Sequence, residues 1–123
     1  MAASGHNSQI GKLGEDLASQ FLENQGYQII DKNFFTRYGE IDLIAQKGNE
    51  VLFLEVKTRS SSLYGYPEQA VDAKKIKHLL EAIKLYLKIK QLKSFWRLDI
   101  ISVELNNHQP TNIKWFKDIS GGY

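Results

Sequence analysis

Apolar residues recur at helical spacing near the start of the chain and again in its second half. Over residues 8–25 they lie three and four positions apart, which predicts a helix packed by one face. A second helical pattern begins near Pro67, a residue that is acceptable in a first turn. Its inward-facing stripe runs from Ile76 to Leu87. Both predicted helices therefore present an apolar face to a common core.

The remaining apolar segments have the length and composition of β-strands. They cover residues 27–35, 39–46, 51–57, 95–105 and 112–119. A turn containing Pro110 separates the last two. The element order αβββαββ predicts an α/β fold in which helices pack on a mixed five-stranded sheet.

Four charged residues fall on one face of the predicted hairpin formed by the second and third strands. The Gly-Asn pair at residues 48 and 49 is a two-residue turn signal. The register set by this turn places Asp42 opposite Glu55 and Glu40 opposite Lys57. Because side chains alternate along a strand, all four are expected to point the same way.

Opposed carboxylates destabilise a sheet unless a cation lies between them. The cost is about 0.2–1 kcal/mol for a directly opposed pair and rises with burial. Mg²⁺ takes oxygen ligands, commonly one or two carboxylates together with phosphate and water. The alternative is a solvated, salt-bridged face on which Lys57 only neutralises Glu40.

The composition fits a protein that folds as one domain, residues 1–123, with residues 1–8 as a flexible tail. Hydrophobic residues make up 42% of the 123 residues and charged residues 24%, which is typical of a soluble globular chain. Cysteine is absent, which excludes disulfides, thiolate catalysis and cysteine-bound zinc. No apolar run is long enough for a membrane span, and residues 1–7 have no secretory apolar region. We expect a cytoplasmic protein without membrane contact.

Charge is unevenly distributed along the chain. Residues 1–56 carry four basic and eight acidic side chains, whereas residues 72–97 carry eight basic and two acidic ones. An acidic cluster beside a basic helix suits a metal centre next to a polyanion, although an ordinary lysine-rich helix has the same composition. Leu85, Ile89 and Leu92 lie on another side of that helix and favour self-association, so a homodimer is a further expectation.

Glu15 is the remaining carboxylate of interest in the first helix. On a helical wheel it falls at the edge of the apolar stripe, where it can lean over the sheet. The other reading is a glutamate in the first turn that is exposed to solvent and favoured by the helix dipole.

Several short motifs, taken in order, resemble a known bacterial family. They are residues 11–15, 26–27, 33–34, 39–44, 53–59 and 69–71. The set resembles the small YraN-like family, which belongs to the PD-(D/E)XK, restriction-endonuclease-like superfamily and is similar to archaeal Holliday junction resolvases. The resemblance runs from about Ile10 to Asp99 and implies a restriction-endonuclease-like core.

The resemblance also implies roles for individual residues. Asp42 matches the motif aspartate, Glu55 its acidic partner and Lys57 its lysine, while Glu15 matches the helix carboxylate that completes the metal site. The implied metal ligands are Asp42, Glu55, Glu15 and the backbone carbonyl of Val56.

The remaining implied roles concern the substrate and the surroundings of the metal. Glu40 is expected to pair with Lys57 or to support the metal ligands without binding the metal itself. The residues expected at the nucleic acid are Arg59, Gln69, Lys74, Lys75 and Lys77. Gln69 has a supporting role, because the glutamine is not followed four residues later by the tyrosine seen in some relatives.

The implied activity is phosphodiester hydrolysis that depends on Mg²⁺ or Mn²⁺. The expected partner is nucleic acid, preferably branched or otherwise structured DNA. Two alternatives stay open at this point: a non-catalytic module that binds nucleic acid, and a protein-interaction module.

Overall fold

The computed structural model describes residues 2–60 and 72–120, which form two helices and one five-stranded sheet. The elements, in chain order, are α1 (Ala2–Asn24), β1 (Gln28–Thr36), β2 (Gly39–Lys47), β3 (Glu50–Arg59), α2 (Ala73–Lys90), β4 (Phe95–Asn106) and β5 (Gln109–Phe116). The strands are ordered β1-β2-β3-β4-β5. Only the β3–β4 pair is parallel, and α2 lies between these two strands in the chain. The predicted order and the mixed sheet are confirmed.

The two helices lie on opposite sides of the sheet, because alternate residues of the central strands feed two separate cores. Val51 and Phe53 pack with α2, whereas Leu52 and Leu54 pack with α1. We call these two faces the α2 side and the α1 side. Both faces of β3 are covered, which explains its nearly continuous apolar sequence.

Helix boundaries differ from the sequence pattern at both N-termini. α1 begins at Ala2, six residues before the predicted start, because these residues extend the helix without adding to the apolar stripe on which the prediction depended. The predicted flexibility of residues 1–8 stays a prediction. α2 begins at Ala73 rather than near Pro67, since the Asp72 side chain accepts a hydrogen bond from the Lys75 N–H at 2.9 Å and caps the helix.

The last hairpin is tighter than predicted. Asn107 and His108 both have positive φ, at 53° and 64°, which permits a two-residue turn between β4 and β5. β5 therefore begins before Pro110 and ends at Phe116, not Ile119. Pro110 is tolerated because β5 is an edge strand.

An ion network centred on the buried Asp99 joins the starts of β3 and β4 to the segment that follows β5. Asp99 is fully buried and accepts hydrogen bonds from Arg97 Nε at 3.0 and 3.1 Å, Trp115 Nε1 at 2.7 Å and the Asp118 N–H at 2.8 Å. Arg97 also donates to Glu50 Oε2 at 2.7 Å. This end of the sheet is therefore fixed, and the candidate site lies towards the other end of β3.

Neither α1 nor α2 has the length and apolarity that a membrane-spanning helix needs, over the residues that the structure describes.

Candidate metal centre

The β2–β3 hairpin has the predicted register up to the level of the candidate site. Lys47 pairs with Glu50 and Gln46 with Val51, as the two-residue turn requires. The paired positions end at Leu43, before Asp42 and Glu55 meet. There Asp42 Oδ2 accepts a hydrogen bond from the Val56 N–H at 2.8 Å. The aspartate side chain thus bonds to the strand backbone just beyond the last paired residues.

Strand alternation is broken at Asp42. Ile41 packs on the α2 side and Leu43 on the α1 side, although residues two apart in a regular strand share a face. On β1, Asn33 lies at the same level and has a left-handed backbone with φ of 50°. The prediction that four charged side chains share one face is therefore wrong, because it assumed an uninterrupted pleat.

Three carboxylates meet on the α1 side instead. Oxygens of Glu15, Glu40 and Asp42 lie within 4.8 Å of one another, and all three side chains are partly buried. Asn33 Nδ2 donates to both oxygens of Glu15, at 3.1 and 3.2 Å, and to Glu40 Oε2 at 2.6 Å. We call Glu15, Glu40 and Asp42 the carboxylate cluster.

The cluster disfavours its own ionisation when no cation is bound. Burial, followed by the neighbouring carboxylate of Glu55 and those of Glu15 and Glu40, raises the pKa of Asp42 to about 8, although the hydrogen bond from the Val56 N–H acts in the opposite direction. Burial also raises the pKa of Glu15, against the stabilising hydrogen bond from Asn33. A divalent cation at the cluster would lower both pKa values, because it favours the ionised forms of the two carboxylates.

Asp99 is a buried aspartate of the same sheet whose ionised form is stabilised by the protein itself. Its carboxylate is surrounded by N–H donors of Arg97, Trp115 and Asp118. Asp42 instead has acidic neighbours. Two aspartates of the same sheet thus have opposite electrostatic surroundings, and of the two only Asp42 gains from a bound cation.

A lysine pair lies on the α2 side, close to the cluster. Glu55, which is 5% exposed, has its Oε2 atom 3.3 Å from Lys57 Nζ and 3.2 Å from Lys75 Nζ. The predicted partnership of Lys57 with Glu40 is wrong: Lys57 pairs with Glu55, and Glu40 joins the cluster. Lys75 reaches this position from the first turn of α2.

Comparison with known proteins places the chain in a family. The sequence profile of the "Uncharacterised protein family UPF0102" matches residues 14–103, which include the cluster and both lysines. The chain belongs to this family. It is 50% identical over 82 residues to a UPF0102 protein of Syntrophomonas wolfei, covering 67% of this chain and 71% of that protein. A UPF0102 protein of Persephonella marina is 42% identical over 98 residues, with 79% and 84% covered. One from Clostridium tetani is 39% identical over 117 residues, with 94% and 96% covered.

The predicted resemblance to the small bacterial YraN-like family is confirmed by the match to the UPF0102 family. Of the four residues matched to catalytic roles, the structure brings Glu15 and Asp42 together in the cluster and puts Glu55 and Lys57 in an ion pair beside it. The role of each stays a prediction.

The residues predicted at the nucleic acid are spread over β3 and α2 of this UPF0102 member. Arg59 ends β3, and Lys74 and Lys77 are exposed on α2. Lys75 is engaged with Glu55. Gln69 lies outside the described residues. The direction of the Val56 carbonyl towards a metal also stays a prediction.

Asn33 is the site residue that sequence reasoning missed. It occurs in one of the family-like motifs, but no role was inferred for it. The available signal was weak: asparagine is enriched among residues with left-handed backbone, and it interrupts an apolar strand here. Its position could not be read from the sequence, because a single asparagine in a strand fits several irregularities equally well.

Gly14 determines how closely Glu15 approaches the sheet. A Cβ atom at residue 14 would lie 1.8 Å from Thr58 Oγ1 and 2.8 Å from Thr58 Cβ. α1 can therefore contact β3 at this point only with glycine, and the next residue of the helix is the cluster member Glu15.

Proposed function

We propose that this protein is an endonuclease of the PD-(D/E)XK type that hydrolyses phosphodiester bonds with Mg²⁺ or Mn²⁺, and that its substrate is branched or structured DNA. The observation that carries the proposal is the carboxylate cluster, in which burial and neighbouring acids raise the pKa of Asp42 to about 8. Ionising these carboxylates is unfavourable without a counter-charge, and a bound cation would supply it. The resemblance to resolvase-like nucleases supports the choice of DNA.

The donor set fits a hard divalent cation. Glu15, Glu40 and Asp42 offer carboxylate oxygens only, and oxygen ligands suit Mg²⁺ and Mn²⁺. When bound, such an ion polarises the scissile phosphate and lowers the pKa of a coordinated water. Glu55 and the Val56 carbonyl are proposed as further ligands from the resemblance.

Lys57 is proposed to act on the attacking water and on the charge that develops at phosphorus. Water oxygen forms the new bond to phosphorus, one P–O ester bond breaks, and the products are a phosphomonoester and an alcohol. Lys57 orients the water or stabilises the negative charge, since its Nζ is held 3.3 Å from Glu55 Oε2. Glu55 thus serves as the positioning residue for this ammonium.

The lysines of α2 are proposed to hold the sugar–phosphate backbone. Lys74 and Lys77 are exposed, and Lys75 is next to the site through Glu55. Contacts to phosphate position the substrate without reading its sequence, and they make the affinity fall with added salt.

The test is cleavage of a panel of labelled nucleic acids with and without metal. Junction, flap, single-stranded and linear duplex DNAs, with RNA counterparts, are incubated with Mg²⁺, with Mn²⁺ and with a chelator. We expect cleavage of DNA only when metal is present. Salt-sensitive binding of these substrates without any cleavage would overturn the catalytic assignment and favour the non-catalytic binding module.

The two lysines at Glu55 offer a matched pair of substitutions. Lys57→Met and Lys75→Met each remove one ammonium from the same carboxylate oxygen. We expect Lys57→Met to lower kcat roughly 10²-fold, because it removes charge next to the reacting phosphate. Lys75→Met should mainly raise KM and reduce the salt slope of binding by about one. Steady-state kinetics at several salt concentrations give both quantities. Equal losses of kcat in the two variants would contradict separate roles.

A protein-interaction module is the second candidate. Ile89 is 56% exposed near the end of α2, and Phe95 is exposed at the start of β4. Of the stripe predicted to support a homodimer, Leu92 packs instead against the α2-side core. This candidate predicts binding to a protein partner that is unaffected by metal and by substitution of Asp42.

A further inference from the structure

Phe35 is an exposed aromatic residue directly beside the carboxylate cluster. The residue is 74% exposed. In the β1–β2 ladder it pairs with Glu40, a member of the cluster. Side chains that face each other across antiparallel strands have Cβ atoms about 5 Å apart. The phenyl group therefore lies across the ladder from Glu40, at the margin of the carboxylate cluster.

The orientation of β1 puts this ring on the same side of the sheet as the cluster. The preceding residue, Phe34, packs on the α2 side, with its ring centroid 4.9 Å from that of Tyr86. Successive side chains of a strand point to opposite faces, so Phe35 points to the α1 side. Glu15 and Glu40 meet on that side.

The core does not account for Phe35. Phe34 supplies the aromatic packing at this point of β1, and Phe35 belongs to neither core. A single exposed phenylalanine is ordinary on a protein surface. One that pairs with a member of the carboxylate cluster, at a site proposed to act on nucleic acid, has a chemical use that acidic neighbours lack: its face accepts a nucleobase.

We propose that Phe35 stacks on an unpaired nucleobase adjacent to the scissile phosphate, so that the preferred substrates carry unpaired nucleotides at the cleavage point. The inference rests on the proposed function. Because a nucleobase is attached to the sugar next to its phosphate, a phosphate held at the cluster brings the neighbouring base towards the ring beside Glu40. A base inside a continuous duplex has both faces covered by its neighbours, and only an unstacked base can offer a face to Phe35.

The test compares two exposed phenylalanines. Phe95 is 76% exposed and pairs with Glu50 at the start of β3, five residues, or about 16 Å, before Glu55 along the strand. The variants are Phe35→Ala, Phe35→Tyr and Phe95→Ala. Each is titrated with oligonucleotides that carry 2-aminopurine beside the expected cleavage point, either unpaired or within a duplex, and cleavage is measured on the same molecules with Mn²⁺.

We expect the wild-type protein to quench unpaired 2-aminopurine on binding. Phe35→Ala should lose this quenching and bind the unpaired substrate about 5- to 100-fold more weakly, with a matching rise in KM. Phe35→Tyr should keep the wild-type behaviour, since it retains a ring. Phe95→Ala should resemble the wild type, and binding to continuous duplex should change less than twofold in every variant.

Three results from the comparison of Phe35→Ala with the wild type would overturn the inference. The first is an equal loss with Phe35→Ala on paired and unpaired substrates. The second is wild-type binding and quenching in Phe35→Ala. The third is a dimer of the wild type that Phe35→Ala dissociates in sedimentation, which would mean that a second copy of the chain covers the ring.

Failure of the inference is distinct from failure of the proposed function. Quenching and binding do not require hydrolysis, so a protein that binds and quenches but cleaves nothing keeps the role of Phe35 and loses the endonuclease. A protein that cleaves with metal while Phe35→Ala equals the wild type keeps the endonuclease and loses the role of Phe35. Absence of all nucleic-acid binding would overturn both.

Discussion

Asp42→Asn is expected to abolish metal-dependent cleavage and, at the same time, to stabilise the metal-free protein at alkaline pH. On the proposed function, the substitution removes one ionised ligand of a cation whose charge would supply several kcal/mol at the transition state, so we expect a fall of about 10³-fold or more in kcat/KM. The asparagine carbonyl can still accept the hydrogen bond that Asp42 Oδ2 takes from the Val56 N–H. The effect on stability therefore reports the charge rather than a lost contact.

The sign of the pH dependence follows from the raised pKa. Asp42 has an ordinary pKa of 3.8, and its surroundings raise it to about 8 in the folded protein. Between these values the folded state holds a proton that the unfolded state has released. The free energy of unfolding of the metal-free wild type should therefore fall as pH rises from about 4 towards 8, by up to about 1.4 kcal/mol per unit from this group. Asp42→Asn should remove this contribution to the slope.

Denaturant unfolding between pH 5 and 9, with a chelator, measures this slope. Added Mg²⁺ or Mn²⁺ should raise the stability of the wild type most at the alkaline end and leave Asp42→Asn nearly unchanged. Asp16→Asn is the control, because Asp16 adjoins Glu15 but its side chain is half exposed. Its ion pair with Lys32 Nζ is long, at 3.8 Å. It should keep cleavage and change stability by less than about 0.5 kcal/mol. Equal pH slopes of the unfolding free energy in the wild type and in Asp42→Asn would show that the folded protein does not raise the pKa of Asp42.

Much of this arrangement could be predicted from local rules. The hairpin register followed from a two-residue turn, and the pairs at Lys47 and Gln46 agree with it. The order of helical and strand patterns along the chain predicted a mixed sheet covered by helices, as the structure has it. These features depend on residues close in sequence, where turn chemistry and the period of a strand leave few choices.

The candidate site departed from local rules at one irregularity. Regular alternation placed Glu40, Asp42, Glu55 and Lys57 on one face, but the pleat is interrupted at Asp42, opposite the left-handed Asn33. The interruption sends Glu40 to the α1 side and leaves Lys57 with Glu55 on the α2 side. Such breaks are common beside functional sites, where a side chain has to be turned from the direction that a regular strand would give it.

The position of Glu15 was harder to predict, because this residue lies on α1 and meets the cluster residues of β2 only through tertiary packing. Its helical position allowed either a solvated glutamate or one leaning over the sheet, and only the family resemblance favoured the second. What decides the matter physically is the close approach of α1 to β3 at Gly14. A glycine in a helix has several explanations, and the sequence does not tell which partner strand lies against it.

Gly14→Ala is expected to lower both stability and activity through this contact. The added methyl group would overlap Thr58 Oγ1 and Cβ, so helix and strand must separate. Overpacking of this kind costs roughly 1–3 kcal/mol, against a gain of up to about 1 kcal/mol from the better helix propensity of alanine. Because Glu15 is the next residue, a displacement of about 1 Å at the cluster should lower cleavage roughly 10²-fold.

Gly11→Ala is the matched control, since a Cβ atom there would have no atom of the described residues within 4 Å beyond its chain neighbours and the backbone of its own helix. It should gain the propensity without the overlap, so the difference in unfolding free energy between the two variants isolates the overpacking. Calorimetric titration with Mn²⁺ should show weaker binding to Gly14→Ala and unchanged binding to Gly11→Ala. Thr58→Ala removes Oγ1 and Cγ2, two of the three Thr58 atoms that the added methyl group would overlap, and in combination with Gly14→Ala it should restore part of the metal affinity. If both glycine variants bind Mn²⁺ and cleave DNA alike, the approach of α1 to β3 does not determine where Glu15 lies.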